Sequence, residues 1–209
     1  MPGPTLTTDA FVLLKRPPGD SFQSFTVFSP EHGTLLTFQR VPKKPSAAHL
    51  ALDLFDEVAL ILDSSNQGQT WFVKETRLLA RHGGIGRNYD ALRFASALAA
   101  LVARNPVPEE SRSSVAALLR TAFAAFGRSA RPDIVYLKSL YVFARDEGYP
   151  VKQEWLPTLP AGLRAEVIRL LGTPLAEIEP AVRGGSADAA LLQRRLEDYL
   201  RGHTEILLD

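Results

Sequence analysis

Cysteine is absent from the 209 residues. That absence removes a disulfide framework, a thiolate zinc site and a cysteine nucleophile together. Long apolar runs are absent as well: nothing approaches the roughly 18 residues of a membrane-spanning helix, and the opening MPGPTLTTD carries neither the basic nor the apolar segment of a secretory leader. A cytoplasmic protein without a membrane partner is expected. Excess charge of either sign is also missing, with 24 Lys and Arg against 23 Asp and Glu for a net +1. No global field draws the chain to nucleic acid, so any such binding must rest on local patches.

Catalytic patterns are equally sparse. The four histidines, His32, His49, His82 and His203, include no i, i+4 pair, so their spacing builds no metal site. GGIGR at residues 83–87 lacks the lysine of a phosphate-binding loop and reads as a hinge between two kinds of structure. There is no GxSxG, and Glu109 with Glu110 reads as solvated charge. An enzyme is not expected, and no cofactor is called for.

What is present is a change of periodicity. The segments DAFVLLKR, SFQSFTVF, TLLTFQRV, LFDEVALIL and QTWFVKETRLL are short, rich in β-branched and aromatic residues, and separated by turn formers such as PPGD, SPEHG and DSSNQGQ. Five strands in so short a span predict a small barrel over residues 1–82. Beyond HGGIGRN the apolar period becomes helical over residues 83–209. Ala91, Phe94, Ala95, Leu98, Leu101 and Val102 share one face, and Val115, Leu118, Leu119, Ala122, Phe123 and Phe126 form the next stripe. RPDIVYLKSLYVFARDEG is apolar on nearly every side, which predicts a central helix whose only interior charge is Lys138. Thr173 before Pro174, and Ser186 before the stripe Leu192, Leu196, Tyr199 and Leu200, predict helix N-caps. The expected fold is α+β: a five-stranded OB-type barrel, then about six helices.

Barrels of the OB type bind oligonucleotides on the face of strands 2 and 3 and through neighbouring loops, by a basic groove with aromatic stacking surfaces. The candidate cations are Lys15 and Arg16 after strand 1, Arg40 ending strand 3, Lys43 and Lys44 in the loop beyond it, and Lys74 and Arg77 on strand 5. Solvated charge is the competing reading of all seven. Phe25, Phe38 and Trp71 are the aromatic candidates, for which core packing competes, whereas Phe22 and Phe28 are assigned to the core.

The succession of segments resembles the RecO family of bacterial recombination mediators. DAFVLLKRPPGDSFQSFTVFSPEHGTLLTF is similar to the family's opening, LALDLFDEVALIL to its fourth strand with a leucine-rich lead-in, YLKSLYVFARDEGYP to its central helix running into Gly-Tyr, and RRLEDYLRGHTEILLD to its last helix. The resemblance implies an OB-fold and a helical domain that bind single- and double-stranded DNA and anneal complementary strands in DNA repair and recombination. It implies RecR and the C-terminal tail of single-stranded DNA-binding protein as partners, and a nucleoid-associated location. Carried over, Arg16, Arg40, Lys43 and Lys44 contact phosphates. Lys138, beside Leu137 and Tyr141, either holds the tail carboxylate or extends from a buried helix toward water. Three departures are plain. Arg40-Val41-Pro42 stands where the family commonly has a glycine before its cations, GYPVKQEWLPTLPAGL lacks the four-cysteine zinc module of many members, and Thr204-Glu205 replaces the Lys-Ser usual near the C-terminus. Trp155, Leu156 and Leu159 are expected to cover that surface by apolar packing. A protein-only adaptor of the same fold, without DNA binding, is the alternative.

Overall fold

The computed structural model describes residues 3–42, 50–64, 70–178 and 187–208. Five strands come first: β1 (Thr5–Lys15), β2 (Phe22–Ser29), β3 (Gly33–Arg40), β4 (Glu57–Ser64) and β5 (Trp71–Ala80). They close in the ring order β1-β2-β3-β5-β4, with β4 returning to β1. Every pair is antiparallel except β3 with β5, which run parallel through Thr37↔Trp71 and Phe38↔Phe72. This mixed, OB-like ring is the expected barrel. The first strand begins four residues earlier than its apolar pattern, because Thr5 to Thr8 pair with Asp63 to Leu60 of β4. Backbone pairing extends the strand there where side-chain alternation gives no signal.

The pleat sorts the side chains. Ala10, Val12, Phe25, Val27, Leu52, Val58, Leu60 and Leu62 fill the ring interior. Each large one stabilises the fold by about 1.5–3 kcal/mol through burial. Phe25 is therefore core and not a stacking surface. Phe11 and Phe28 lie opposite each other on the outer side, yet both are buried. Here the Arg120 guanidinium sits 5.5 Å over the Phe11 ring and donates through Nε to Glu57 Oε1 at 3.0 Å. Arg112 Nη1 donates to the Glu31 carbonyl at 2.9 Å. One end of the outer face is thus closed by residues that follow in the helices.

The turn between β2 and β3 is built by SPEHG. Ser29 Oγ accepts from the amides of Glu31 and His32, both at 3.1 Å, and Gly33 takes φ +70 to complete the reversal. Thr8 and Ser29 then donate to the Glu31 carboxylate at 2.5 and 3.0 Å. Those hydrogen bonds, Thr8's first, hold its pKa below the usual value against the opposing effect of burial.

Among the described residues six helices follow: α1 (Tyr89–Arg104), α2 (Arg112–Phe126), α3 (Pro132–Asp146), the short α4 (Leu156–Thr158), α5 (Ala161–Gly172) and α6 (Ala187–His203). Two compact units result, residues 1–82 with 102–120 and residues 83–101 with 121–209. Ten of the fifteen α3 residues are buried, which makes it the central helix of its unit, in contact with α5 and α6. A π-helical turn, Val151–Trp155, leads into α4, and Trp155, Leu156 and Leu159 are all buried.

One expectation is corrected here. Thr173 caps no N-terminus. It is the residue that ends α5, and the 3₁₀ turn Leu175–Glu177 starts from Pro174 with no side-chain hydrogen bond. Within HGGIGRN the glycines differ in their surroundings: Gly83 and Gly86 have nothing near a would-be Cβ. A Cβ on Gly84 would lie 2.1 Å from the Gly127 carbonyl oxygen, and Ile85 is fully buried. Close backbone approach demands Gly84. The Ser186 cap lies outside the described residues.

Candidate nucleic-acid interface

The open end of the outer face lies on β2, β3 and β5. Since Phe25, Val27, Thr37 and Gln39 are buried, the even-numbered residues of β2 and β3 point outward. Phe22 lies opposite Arg40, Ser24 opposite Phe38, and Thr26 opposite Leu36. The parallel pairing adds Phe72 beside Phe38. Three rings from three adjacent strands meet: Phe22 and Phe72 edge to face at 5.4 Å between centroids, and Phe38 and Phe72 tilted at 5.7 Å.

Phe22 keeps 40% of its surface exposed and Leu36 38%. Phe22 is thus on the surface and not in the core to which its sequence context assigns it. Trp71 does the reverse, packing against the ring interior with Leu35 and Val73. The residues missed by sequence reasoning are Phe22 and Phe72. The alternation that puts Phe25 and Val27 inside already points Phe22 outward. No sequence signal decides between Trp71 and Phe72, because only the β3–β5 register does so.

The cations divide three ways. Arg16 donates its backbone amide to Ser24 at 3.1 Å, so it stands on the β1 side of the aromatic row while Arg40 stands on the β3 side. Both are exposed, and neither meets a carboxylate among the described residues. Lys74 is the extra residue where the β4–β5 register shifts, and its ammonium lies 3.4 Å from Asp63, the β4 neighbour of Phe72. The Thr5 hydroxyl, at 2.8 Å, is the larger influence keeping the Asp63 pKa low, ahead of Lys74. Arg77 lies opposite Ala59, five residues farther along β5 and roughly 16 Å away at 3.3 Å per residue.

Lys15 belongs elsewhere. It lies opposite the inward-pointing Phe25 and donates to Asp53 at 3.0 Å. Burial raises the Asp53 pKa, but the Lys15 hydrogen bond and the Leu54 amide outweigh it, leaving a net lowering. Lys43 and Lys44 lie outside the described residues.

In the helical unit, Lys138 is engaged by backbone carbonyls. Its ammonium donates to the carbonyls of Leu170 at 2.9 Å and Thr173 at 2.6 Å, where α5 leaves its last carbonyls without helical partners. Burial pushes its pKa down. Leu137 is fully buried, and Tyr141, nearly so, lies 6.2 Å from the Trp155 ring. These three residues converge on the interior of the unit. Nearby, Arg93, Phe94, Tyr136, Glu197 and Arg201 line a cleft of about 230 Å³.

Among the described residues, no three His, Asp or Glu side chains gather as a metal site, and no helix is long and apolar enough to cross a membrane. No protein-family model matches the chain, and no curated protein does either.

Proposed function

We propose that this protein is a DNA-binding mediator of the RecO type. In this reading it holds single- and double-stranded DNA, anneals complementary strands, and acts with RecR and the tail of single-stranded DNA-binding protein in recombinational repair, without catalytic turnover of its own. The observation that carries the reading is the open outer face of an OB-ordered ring, where Arg16 and Arg40 flank a row of aromatic side chains. Guanidinium groups at the edge of such a face attract phosphates without regard to sequence. Lys138 adds no support, since its ammonium already serves the end of α5.

The test is annealing of complementary oligonucleotides by wild type and by an Arg16→Glu/Arg40→Glu variant across a salt series. Slower annealing by the variant and a shallower salt dependence are expected. Equal rates at every salt concentration would remove these arginines from the mechanism. The ion pairs at Lys15 and Lys74 favour the alternative, a protein-only adaptor, because they neutralise two of the candidate cations. Tight binding of DNA at low salt in a gel-shift assay excludes that alternative.

A further inference from the structure

We infer that the cleft between α1 and α6 in the helical unit binds a free guanine nucleotide, its base donating to Glu197 and its phosphate held by Arg93 and Arg201. The inference does not depend on the DNA-binding reading above, since every group it uses lies away from the barrel.

The cleft is built on an aromatic stack. Phe94 of α1 lies against Tyr136 of α3 at 5.3 Å between centroids, and the Arg93 guanidinium sits 4.0 Å over the Phe94 ring. Gln193, Glu197 and Arg201 follow one another at four-residue steps along α6, which places them on one face of that helix. The cleft volume is about 230 Å³, against the roughly 10–15 Å³ that holds one water. It suits an extended ligand better than a lone ion.

Two kinds of group meet there. Gln193 Nε2 donates to Glu197 Oε1 at 2.8 Å, which orients the carboxylate and leaves Glu197 Oε2 without a donor among the described residues. An ionised carboxylate only accepts, and it is best met by two parallel N–H donors. Guanine offers such a pair on one edge, its ring N–H and its 2-amino group. Adenine sets a ring acceptor against the carboxylate at the same place and is disfavoured.

Arg93 and Arg201 supply the opposite charge. Their neighbouring acids, Asp90 at 3.5 Å and Asp198 at 3.6 Å, lie one turn away on the same helices. Those separations exceed the roughly 2.7–3.2 Å of a good hydrogen bond, and exposed pairs of this kind contribute little. A guanidinium carries five N–H donors, so each arginine can keep its neighbour and still grip a phosphate. The planar base also suits the Arg93–Phe94 stack, because guanidinium groups pack face to face with aromatic planes. One ligand that meets both arginines links α1 to α6 and stabilises the unit by mass action.

The test is calorimetric titration of the full chain with guanosine monophosphate, adenosine monophosphate, guanosine and inorganic phosphate. Guanosine monophosphate is expected to bind about tenfold more tightly than each of the other three, and to raise the melting temperature. Glu197→Gln, which retains an acceptor for Gln193, is expected to erase the preference for guanine over adenine while the melting transition without ligand stays at its wild-type position. Arg201→Gln is expected to bring guanosine monophosphate down to the affinity of guanosine, whose own binding is unchanged. Equal affinity for guanosine monophosphate and inorganic phosphate would reveal a simple anion patch and overturn the inference. A guanine preference that survives Glu197→Gln, or no binding of guanosine monophosphate by the wild type, overturns it as well. Each of these outcomes leaves the annealing experiment to decide the DNA-binding reading separately.

Discussion

Arg81 grips Asp56 with a two-pronged fork, Nε to Oδ1 at 2.8 Å and Nη2 to Oδ2 at 2.5 Å, across the start of β4. The Asp56 side chain is only 1% exposed, whereas Arg81 keeps 43% of its surface in water. The carboxylate also accepts the Asp53 amide at 2.9 Å, and the Asp56 carbonyl accepts the Val12 amide at 2.9 Å beside the β1 irregularity. The segment thus anchors β4 to β1, and Phe55 within it holds a left-handed φ of 68. Removing the arginine leaves a buried carboxylate with too few donors, the more damaging half of such a pair to lose. Arg81→Ala is expected to destabilise the protein by about 3 kcal/mol. Asp56→Asn, which keeps an acceptor at the site, is expected to cost less. Chemical denaturation of the two variants measures the difference, and the reverse order would contradict the account.

Gly84 and Gly83 are neighbours with opposite expected tolerances. A methyl group on Gly84 collides with the Gly127 carbonyl, and neither partner is a flexible side chain that can swing aside. One on Gly83 meets nothing within 4 Å. Gly84→Ala is expected to lower stability by about 1–3 kcal/mol, the usual range for forced overpacking, while Gly83→Ala stays within about 0.5 kcal/mol of wild type. Thermal melts of both variants decide it.

The acid side of the stability profile has a named contributor. Glu31 carries a lowered pKa in the folded state, chiefly through the Thr8 hydroxyl. A carboxylate depressed by folding supports the native state above its unfolded pKa, and that support fades as pH falls through the folded value. Thr8→Val is expected to move the Glu31 titration upward toward the ordinary glutamate range, as read by carboxyl-carbon NMR. An unmoved midpoint would show that the hydroxyl does not set it.

How much of this was legible in the sequence depends on which interaction decides each feature. The strands and the first two helical stripes follow from periodicity, because Val27 or Leu119 must leave water whatever else happens. The covering of Phe11 depends on Arg120, more than a hundred positions away in the chain, and no local pattern encodes that. The aromatic row is intermediate. Phe22 was within reach of the alternation rule, but its meeting with Phe72 needs the parallel β3–β5 register and the shift at Lys74. Lys138 was identified as the only interior charge of its helix, but its partners are carbonyls at the end of another helix, which no side-chain motif announces.

The Lys138 ammonium gives the alkaline side of the profile a distinct signature. Burial lowers its folded pKa below the ordinary lysine value, so between the two values the unfolded chain holds more protons. Stability from this group therefore rises with pH across that window. Lys138→Met removes the rise and leaves the Leu170 and Thr173 carbonyls without this donor, at a cost of about 1–3 kcal/mol near neutral pH. Denaturation midpoints of wild type and variant, taken from neutral pH upward, are expected to diverge further as pH increases. Parallel profiles would mean that the folded and unfolded pKa values are alike.

Among the cations near the barrel, position relative to the pleat predicts which ones matter for DNA. Arg40 lies opposite Phe22 on the outer face and meets no carboxylate among the described residues, whereas Lys15 lies opposite an inward-pointing phenylalanine and is held by Asp53 at 3.0 Å. If each phosphate contact releases condensed counterions, loss of one contact lowers the slope of log affinity against log salt by about 0.7 on a single strand. Arg40→Gln is expected to produce that change, with weaker binding across all sequences. Lys15→Gln is expected to leave the slope unaltered and to cost at most about 1 kcal/mol of stability, the upper end for an exposed ion pair. The comparison is a salt titration of oligonucleotide affinity for wild type and both variants. Equal slopes for the two variants would mean that the outer face, and Arg40 with it, has no privileged role in meeting the phosphate backbone.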